Sequence, residues 1–197
     1  LQSTDPGFNP DNVLTFRLAL PAARYPEPQK TAIFLDDLEA RIRRMPAVQS
    51  VGSVSRLPFS GGQYLISVEA IDGRKPYDQP EDAKSVQLRI VTPEYFKAMG
   101  FRLVRGRFFE PTDHEGAARA VVISRAAAHL LFGDNDAIGH TIELGTGLGL
   151  GRGRVGGVVA GIVEDTNEFG HRIPPPPILF GAHPQFPVPS MAVAAPT

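Results

Sequence analysis

The stretch Val91-Thr-Pro-Glu-Tyr-Phe-Lys-Ala-Met-Gly-Phe-Arg-Leu-Val-Arg-Gly-Arg-Phe-Phe109 decides the fold of this chain. Thr92 is placed to cap a short helix, with Pro93 at the first helical position and Gly100 just past the helical end. Gly100 and Gly106 are predicted to occupy turns in which a Cβ atom would be strained. The segment therefore predicts a short helix followed by two turns.

The aromatic residues of this stretch make a second pattern. Four of them are predicted to anchor a small core: Tyr95, Phe96, Phe108 and Phe109. Arg107 has two open interpretations, a buried member of an ion pair or a solvent-facing side chain. In either case the pattern indicates an architectural role rather than chemistry.

The residues before this stretch alternate between strand and helix patterns. Val13 to Leu20 predicts a half-buried strand whose apolar face carries Leu14, Phe16, Leu18 and Leu20. From Pro28 to Met45 apolar residues recur at helical spacing, and Glu39 with Arg43 is predicted to form an exposed i,i+4 pair. A second strand is predicted at Val48 to Ser55, so this part of the chain predicts a β-α-β unit.

Two more strands are predicted ahead of the quoted stretch, at Tyr64 to Ile71 and at Ser85 to Val91. The second of them ends at the first residue of the stretch. In the second of them, Gln87 and Arg89 point away from the apolar face. After the stretch, Ser124 is placed to cap a helix at Arg125 to Phe132, which Gly133 ends.

A pair of strands with a glycine-rich connection comes next. The strands are predicted at His140 to Leu144 and Val155 to Val163, and residues 145–157 between them form a hairpin loop whose role the sequence leaves open. Pro174 to Pro177 forbids regular hydrogen bonding and is predicted to be an extended connector between two lobes. The overall pattern predicts a mixed α+β fold.

Composition excludes several classes of function. The chain has 20 Lys+Arg against 21 Asp+Glu, so it offers no strong field to nucleic acid or to an anionic membrane surface, and neither is predicted as a partner. It has no cysteine, which excludes disulfides, thiolate metal sites and a cysteine nucleophile. No run approaches the length of a membrane span. Because the chain opens at Leu1 without a methionine, we expect it to be part of a larger protein.

Motifs for catalysis or cofactor binding are incomplete. Gly151-Arg-Gly-Arg-Val-Gly156 matches a dinucleotide-binding pattern, but a β-rich run follows it where a helix is required. Asp134-Asn-Asp136 lacks the remaining ligands of a calcium loop. No P-loop occurs, so the chain itself is not predicted to hydrolyse ATP. We therefore predict no catalytic residue, cofactor or metal.

One acidic cluster supports an alternative hypothesis. Glu164, Asp165, Glu168 and His171 are close in sequence and are residue types that can hold a metal. Their spacing matches no recurrent metal motif, and surface loops commonly carry such residues. A metal- or ligand-binding domain that uses Glu164, Asp165 and His171 is the competing interpretation.

A series of short phrases in fixed order resembles the MacB-like periplasmic core domain of ABC transporter permeases, of the MacB/FtsX type. The phrases are Asp5-Pro-Gly-Phe8, Arg24-Tyr25-Pro26, Met45-Pro46-Ala47-Val48, Ser55-Arg-Leu-Pro58, Tyr95 to Phe109, Val121-Val-Ile-Ser124, Ala137-Ile-Gly139 and Val158-Val-Ala-Gly-Ile-Val-Glu-Asp165. The resemblance implies structural signature residues at Gly7, Phe8, Tyr95, Phe96, Gly100, Gly106, Arg107, Phe108 and Gly139.

The resemblance also implies an architecture, a location and partners. It implies a porter-like β-α-β lobe, residues 1–92 with 176–197 and cut short at its C-terminal end, into which a smaller α/β lobe of residues 93–175 is inserted. The domain would lie outside the cytoplasmic membrane as the periplasmic part of a permease that acts in efflux or mechanotransmission, without catalysis. Its implied partners are the permease's transmembrane part, a separate ATP-binding subunit, a periplasmic adaptor, and a second copy or second permease half.

Overall fold

A computed structural model describes residues 6–58, 60, 65–145, 155–167 and 173–197. Its helices are α1 (Pro28–Arg43), α2 (Tyr95–Ala98) and α3 (Arg125–Phe132), with a 3-10 turn at Pro80–Asp82. Its strands are β1 (Val13–Ala19), β2 (Gly52–Val54), β3 (Leu65–Ile71), β4 (Ser85–Val91), β5 (Leu103–Gly106), β6 (Ala120–Ser124), β7 (Thr141–Leu144), β8 (Gly156–Val163), β9 (Ile178–Ala182) and β10 (Ser190–Pro196). The mixed α+β class is confirmed, with strands predominating.

Within the described residues, the strands form one ten-stranded sheet that closes on itself in part. Six strands pair in a ring in the order β4-β3-β7-β8-β6-β9, and β9 returns to pair in parallel with β4. Three further strands, β1-β10-β2, extend from the ring through the contact of β2 with β4, and β5 pairs with β8. The two-lobe division near residue 93 stays a prediction.

The predicted β-α-β unit is present with another strand inserted into it. β1 and β2 each pair antiparallel with β10, so they run parallel to each other on its two sides. Ile42 of α1 packs with Val51, Val193 and Ala195, which places the helix over β10 and the start of β2. The C-terminal residues, distant in sequence, therefore complete the unit that the N-terminal residues begin.

The apolar face predicted for β1 is wrong for two of its residues. Leu14 is 62% exposed and Phe16 is 39% exposed. Their register partners in β10 are Ala195 and Val193, which α1 does cover. β1 is an edge strand that pairs with β10 alone in the described part of the chain, so α1 leaves these two side chains uncovered.

Alternate side chains of the central strands supply two separate cores. Val121 and Ile123 of β6 belong to a cluster that includes the apolar residues of β3, β4 and β7, together with Leu131 of α3. Val122 of β6 and Phe180 of β9 belong to a second cluster with the aromatic residues of the quoted stretch. Both faces of these strands are thus buried, as the period of two along a strand requires.

This double burial explains the environment of the polar residues in β4. Gln87 and Arg89 point away from Val86, Leu88 and Ile90, as predicted, but each is only 3% exposed. The Nη2 of Arg89 donates a hydrogen bond to Oε1 of Gln87 at 3.1 Å. The predicted alternation of side chains is therefore correct. The side chains of Gln87 and Arg89, however, form a polar patch inside the protein.

Most of the remaining boundaries follow the sequence closely, although β2 covers only Gly52–Val54 of the strand predicted at Val48 to Ser55. α3 has the predicted bounds, and Ser124 Oγ accepts a hydrogen bond from the N–H of Ala127 at 3.2 Å. β7 and β8 pair antiparallel, as predicted for the hairpin, and residues 146–154 of its loop, with most of the Gly151 motif, lie outside the described residues. Among the residues that are described, no helix is both long and apolar enough to traverse a lipid bilayer.

Candidate functional site

Phe96 is the centre of an aromatic cluster on the second face of the sheet. Its ring is stacked on Phe108 at a centroid distance of 5.0 Å and meets Phe180 edge-on at 5.1 Å. The rings of Phe101, Phe109 and Tyr95 lie within 6.2 Å of it. Ala192 and Ala194 of β10 belong to the same cluster, so the cluster contacts both the ring and its three-strand extension.

The turn after α2 holds this cluster in shape. Gly100 has φ +65°, and the N–H of Phe101 donates to the carbonyl of Phe96 at 2.8 Å while the N–H of Gly100 donates to that of Lys97 at 3.1 Å. This pair of bonds is a Schellman motif, which requires the left-handed conformation that glycine adopts at low cost. The rings of Phe96 and Phe101, 5.5 Å apart, supply the apolar contact that accompanies the motif.

The predicted cap of α2 is wrong. The helix begins at Tyr95 after Glu94, without a side-chain hydrogen bond at its cap. Thr92 lies before the turn, and its hydroxyl is used elsewhere, because Oγ1 accepts from the N–H of Ser53 at 2.8 Å and donates to Glu39 at 2.9 Å. The hydroxyl of Thr92 therefore makes hydrogen bonds to Ser53 and Glu39 instead of capping α2.

The second turn of the segment quoted at the outset, residues 91–109 and from here on the signature stretch, is a close contact between backbones. Gly106 has φ +76°, and a Cβ atom on it would lie 2.2 Å from the carbonyl oxygen of Ala160. Gly7 and Gly139 also have positive φ, and Phe8 is buried in the aromatic cluster. The importance of these signature residues to the function stays a prediction.

Arg107 is the basic member of a bidentate ion pair, and its side chain is also 39% exposed, so it combines features of the two interpretations left open by the sequence. Its Nη1 and Nη2 donate to the two carboxylate oxygens of Asp113 at 2.7 and 3.0 Å, and Nη1 also donates to the carbonyl of Phe108 at 3.0 Å. The N–H of Glu110 donates to Asp113 at 2.8 Å. Burial acts to raise the pKa of Asp113, but the hydrogen bonds from Arg107 and Glu110 outweigh it and hold that pKa below its ordinary value.

A groove of about 680 Å³ opens beside this ion pair. Its lining includes Gly106, Arg107, Asp113, Arg119 and Gly139. Two of the signature glycines and the signature arginine therefore meet at one surface. Because Arg107 and Asp113 satisfy each other there, the pair is suited to holding the segment in shape rather than to proton transfer.

Glu39 is a buried acid that the sequence interpretation missed. It was predicted to be exposed, yet it is 4% exposed, and its Oε1 accepts hydrogen bonds from Ser53 Oγ at 2.5 Å and Thr92 Oγ1 at 2.9 Å. Burial raises the pKa of Glu39 to about 7, although the two hydrogen bonds lower it in part. A signal was present, since Glu39 follows Leu35 by one helical turn and precedes Ile42, both on the buried stripe.

The acidic cluster proposed as a metal site is used in other ways. Glu164 accepts a hydrogen bond from Arg125 at 3.1 Å. Asp165 accepts from the N–H of Ala126 at 2.7 Å and so caps the first turn of α3 from a distant part of the chain. Glu168 and His171 lie outside the described residues. The part of the chain that is described contains no group of three His, Asp or Glu side chains able to hold a metal.

The histidines with resolved contacts have structural surroundings. Burial lowers the pKa of His183 to about 4, so its ring is neutral near pH 7, and its Nε2 lies 3.2 Å from the carbonyl of Val188. His140 pairs with Asp72 at 2.6 Å on the surface. Within the described residues, His140 binds the carboxylate of Asp72 and His183 binds the backbone of Val188, so neither hydrogen bond goes to a serine or threonine hydroxyl.

Comparison with solved structures shows the fold. The periplasmic region of MacB from Actinobacillus actinomycetemcomitans matches with a TM-score of 0.54 at 14% identity, over 94% of this chain and 75% of that chain. The extracellular domain of the noncanonic ABC-type transporter YknZ from Gram-positive bacteria matches with a TM-score of 0.54 at 14% identity, over 94% of this chain and 83% of that one.

Comparison by sequence shows the family. No curated protein matches the chain in sequence. The model of the MacB-like periplasmic core domain matches residues 3–180, which include the rings of the aromatic cluster, the Arg107–Asp113 pair and Glu39. The resemblance inferred from the ordered phrases is thereby confirmed, and the chain belongs to the family of MacB-like periplasmic core domains.

Proposed function

We propose that this domain is a non-catalytic, extracytoplasmic part of an ABC transporter permease that transmits conformational change to a substrate or adaptor outside the membrane. Support comes from the family, whose solved relatives are described as periplasmic or extracellular. In this proposal the domain is linked to the transmembrane part of the permease, and a separate ATP-binding subunit supplies energy. A periplasmic adaptor and a second copy or permease half are the further partners.

One observation carries the proposal, namely how the signature stretch joins the parts of the sheet. β4 pairs on one side with β9 of the ring and on the other with β2 of the extension. The stretch leaves the end of β4 and packs Phe96 against Phe180 of β9, in a cluster that also contains Ala192 and Ala194 of β10. Close-packed interiors transmit displacement, so a movement of the extension would be passed to the ring.

The same contacts support the two-lobe division as part of the proposal. The porter-like lobe, residues 1–92 with 176–197, would hold α1, β1 to β4, β9 and β10, and the smaller lobe, residues 93–175, would hold α2, α3 and β5 to β8. In this view the aromatic cluster is the joint between the lobes. Efflux and mechanotransmission are the two roles of the permease that the proposal allows.

The test measures movement in the full-length permease with its ATP-binding partner. This chain has no cysteine, so once any cysteines elsewhere in the permease are replaced, single cysteines at the exposed positions Asp37 in α1 and Asp134 after α3 can carry a pair of spin labels. We expect the distance between the labels, or its distribution, to change with ATP, and we expect Phe108→Ala to reduce that change while ATP hydrolysis continues. An unchanged distance with active ATP hydrolysis and transport would contradict the proposal.

A further inference from the structure

A small pocket of about 220 Å³ lies between β1, β10 and the segment that follows β2. Its lining includes Arg17, Ser55, Arg56, Ser60, Ser190 and Ala192. It shares no lining residue with the groove beside Arg107. It is thus a separate feature of the surface, next to the exposed strand of the extension.

The register of the strands builds this pocket. Arg17 of β1 lies opposite Ala192 of β10, and Ala192 lies opposite Val54 of β2. Neighbours in such a row stand side by side on one face of a sheet. Because the middle residue is an alanine, its short side chain leaves a depression that Arg17 borders on one side and Ser55 and Arg56 on the other.

The charges around the pocket are of one sign. Two guanidinium groups line it, and its described lining residues include no carboxylate. Arg17 makes no ion pair with any described residue, and its side chain is exposed. A third guanidinium lies behind the lining of the pocket, since Nη1 of buried Arg89 is 3.5 Å from the carbonyl of Arg56. Positive charges placed together in a concave site attract an anion.

Hydroxyl groups supply directional donors beside these charges. Ser55 Oγ accepts a hydrogen bond from the N–H of Ile90 at 3.0 Å, which leaves its own O–H proton available to donate. Ser190 adds a second hydroxyl at the rim. A tetrahedral group with several acceptor oxygens matches guanidinium forks combined with hydroxyl donors, because each oxygen can accept more than one bond.

We propose that this pocket binds the phosphate group of an anionic ligand, with Arg17 as its charged contact and Ser55 as a hydroxyl donor, beside the further positive charge of Arg56. The ligand is either a small phosphate-bearing molecule or the headgroup of an anionic phospholipid. This inference is independent of the proposed transmission function. The domain could carry this site whether or not it transmits conformational change.

The first experiment measures thermal stability of this chain during titration with inorganic phosphate, against sodium chloride of equal ionic strength. A ligand that binds only the folded state raises the melting temperature in a saturable way. We expect Arg17→Gln to weaken the apparent affinity by about tenfold or more, because charged hydrogen bonds are lost. Arg44→Gln, at the exposed end of α1 and outside the pocket lining, is the matched control and should behave as the wild type.

A second experiment separates the two sources of the phosphate group. Co-sedimentation compares phosphatidylcholine vesicles with and without phosphatidylglycerol. Binding to the anionic vesicles that Arg17→Gln loses and Arg44→Gln retains assigns a lipid headgroup, whereas a phosphate effect without vesicle binding assigns a small molecule. A melting temperature that phosphate does not raise beyond chloride, or raises equally in Arg17→Gln, overturns the proposal.

Discussion

Replacement of Glu39 by glutamine tests the buried hydrogen-bond network that ties α1 to β2 and to the start of the signature stretch. The carboxyl is almost completely buried and accepts hydrogen bonds from Ser53 and Thr92. Its pKa of about 7 lies above the ordinary value of 4.5. The folded state therefore binds this proton more tightly than the unfolded state.

The sign of the effect follows from that difference. The contribution of Glu39 to the free energy of unfolding is fully present below about pH 4.5, where the group is protonated in both states, and it is lost as the pH rises through about 7. The total change amounts to about 3 kcal/mol, because one unit of pKa corresponds to about 1.4 kcal/mol. Asp36 and Arg43 on the same helix are the charged groups with electrostatic influence on it, and they act in opposite directions.

The assay is urea unfolding of wild type and Glu39→Gln at intervals between pH 4.5 and 8. The stability of the wild type relative to the variant should fall by about 3 kcal/mol over this range. Asp37→Asn removes one negative charge from the exposed side of the same helix and controls for net charge. A constant difference between wild type and Glu39→Gln at every pH would refute the reasoning.

Three further changes probe the signature stretch by urea unfolding. Gly106→Ala should cost about 2–4 kcal/mol, since the added Cβ meets a backbone oxygen, whereas Gly116→Ala, with φ +82° but open space around it, should cost only about 1–2 kcal/mol. Phe96→Ala should cost about 3–5 kcal/mol as a buried ring, and Phe16→Ala, being partly exposed, less than about 1 kcal/mol. Asp113→Asn should cost about 1–3 kcal/mol near neutral pH, and because the pKa of Asp113 is lowered, the advantage of the wild type should disappear as the pH falls below about 4.

The controls decide each of these outcomes. Equal losses for the two glycine variants would show that backbone conformation alone matters and that the close contact with Ala160 does not. A Phe96→Ala loss no larger than that of Phe16→Ala would remove the aromatic cluster as a source of stability. A cost for Asp113→Asn that persists unchanged at low pH would mean that shape, not charge, holds Arg107 in place.

Local patterns were sufficient wherever a single element decided the outcome. The bounds of α3 and β4 and the turn at Gly100 were predictable, because a cap, an alternation and a left-handed glycine each depend on a few adjacent residues. The acid at position 39 was not assigned correctly, although it lies on the buried stripe of α1. Its hydroxyl partners come from β2 and from the end of β4, which adjoin the helix only after the sheet has formed.

The sequence by itself determined the α+β class, the family and the segment on which the fold depends. Ordered phrases and short-range periodicity can be recognised without knowledge of the tertiary contacts. Only the tertiary structure decided that β10 lies between β1 and β2, that Thr92 binds Glu39 rather than capping α2, and that Asp165 caps α3. Each of these pairs residues far apart in the chain. Such choices follow from which buried donors and acceptors must be satisfied once the strands have closed, and no local pattern encodes that condition.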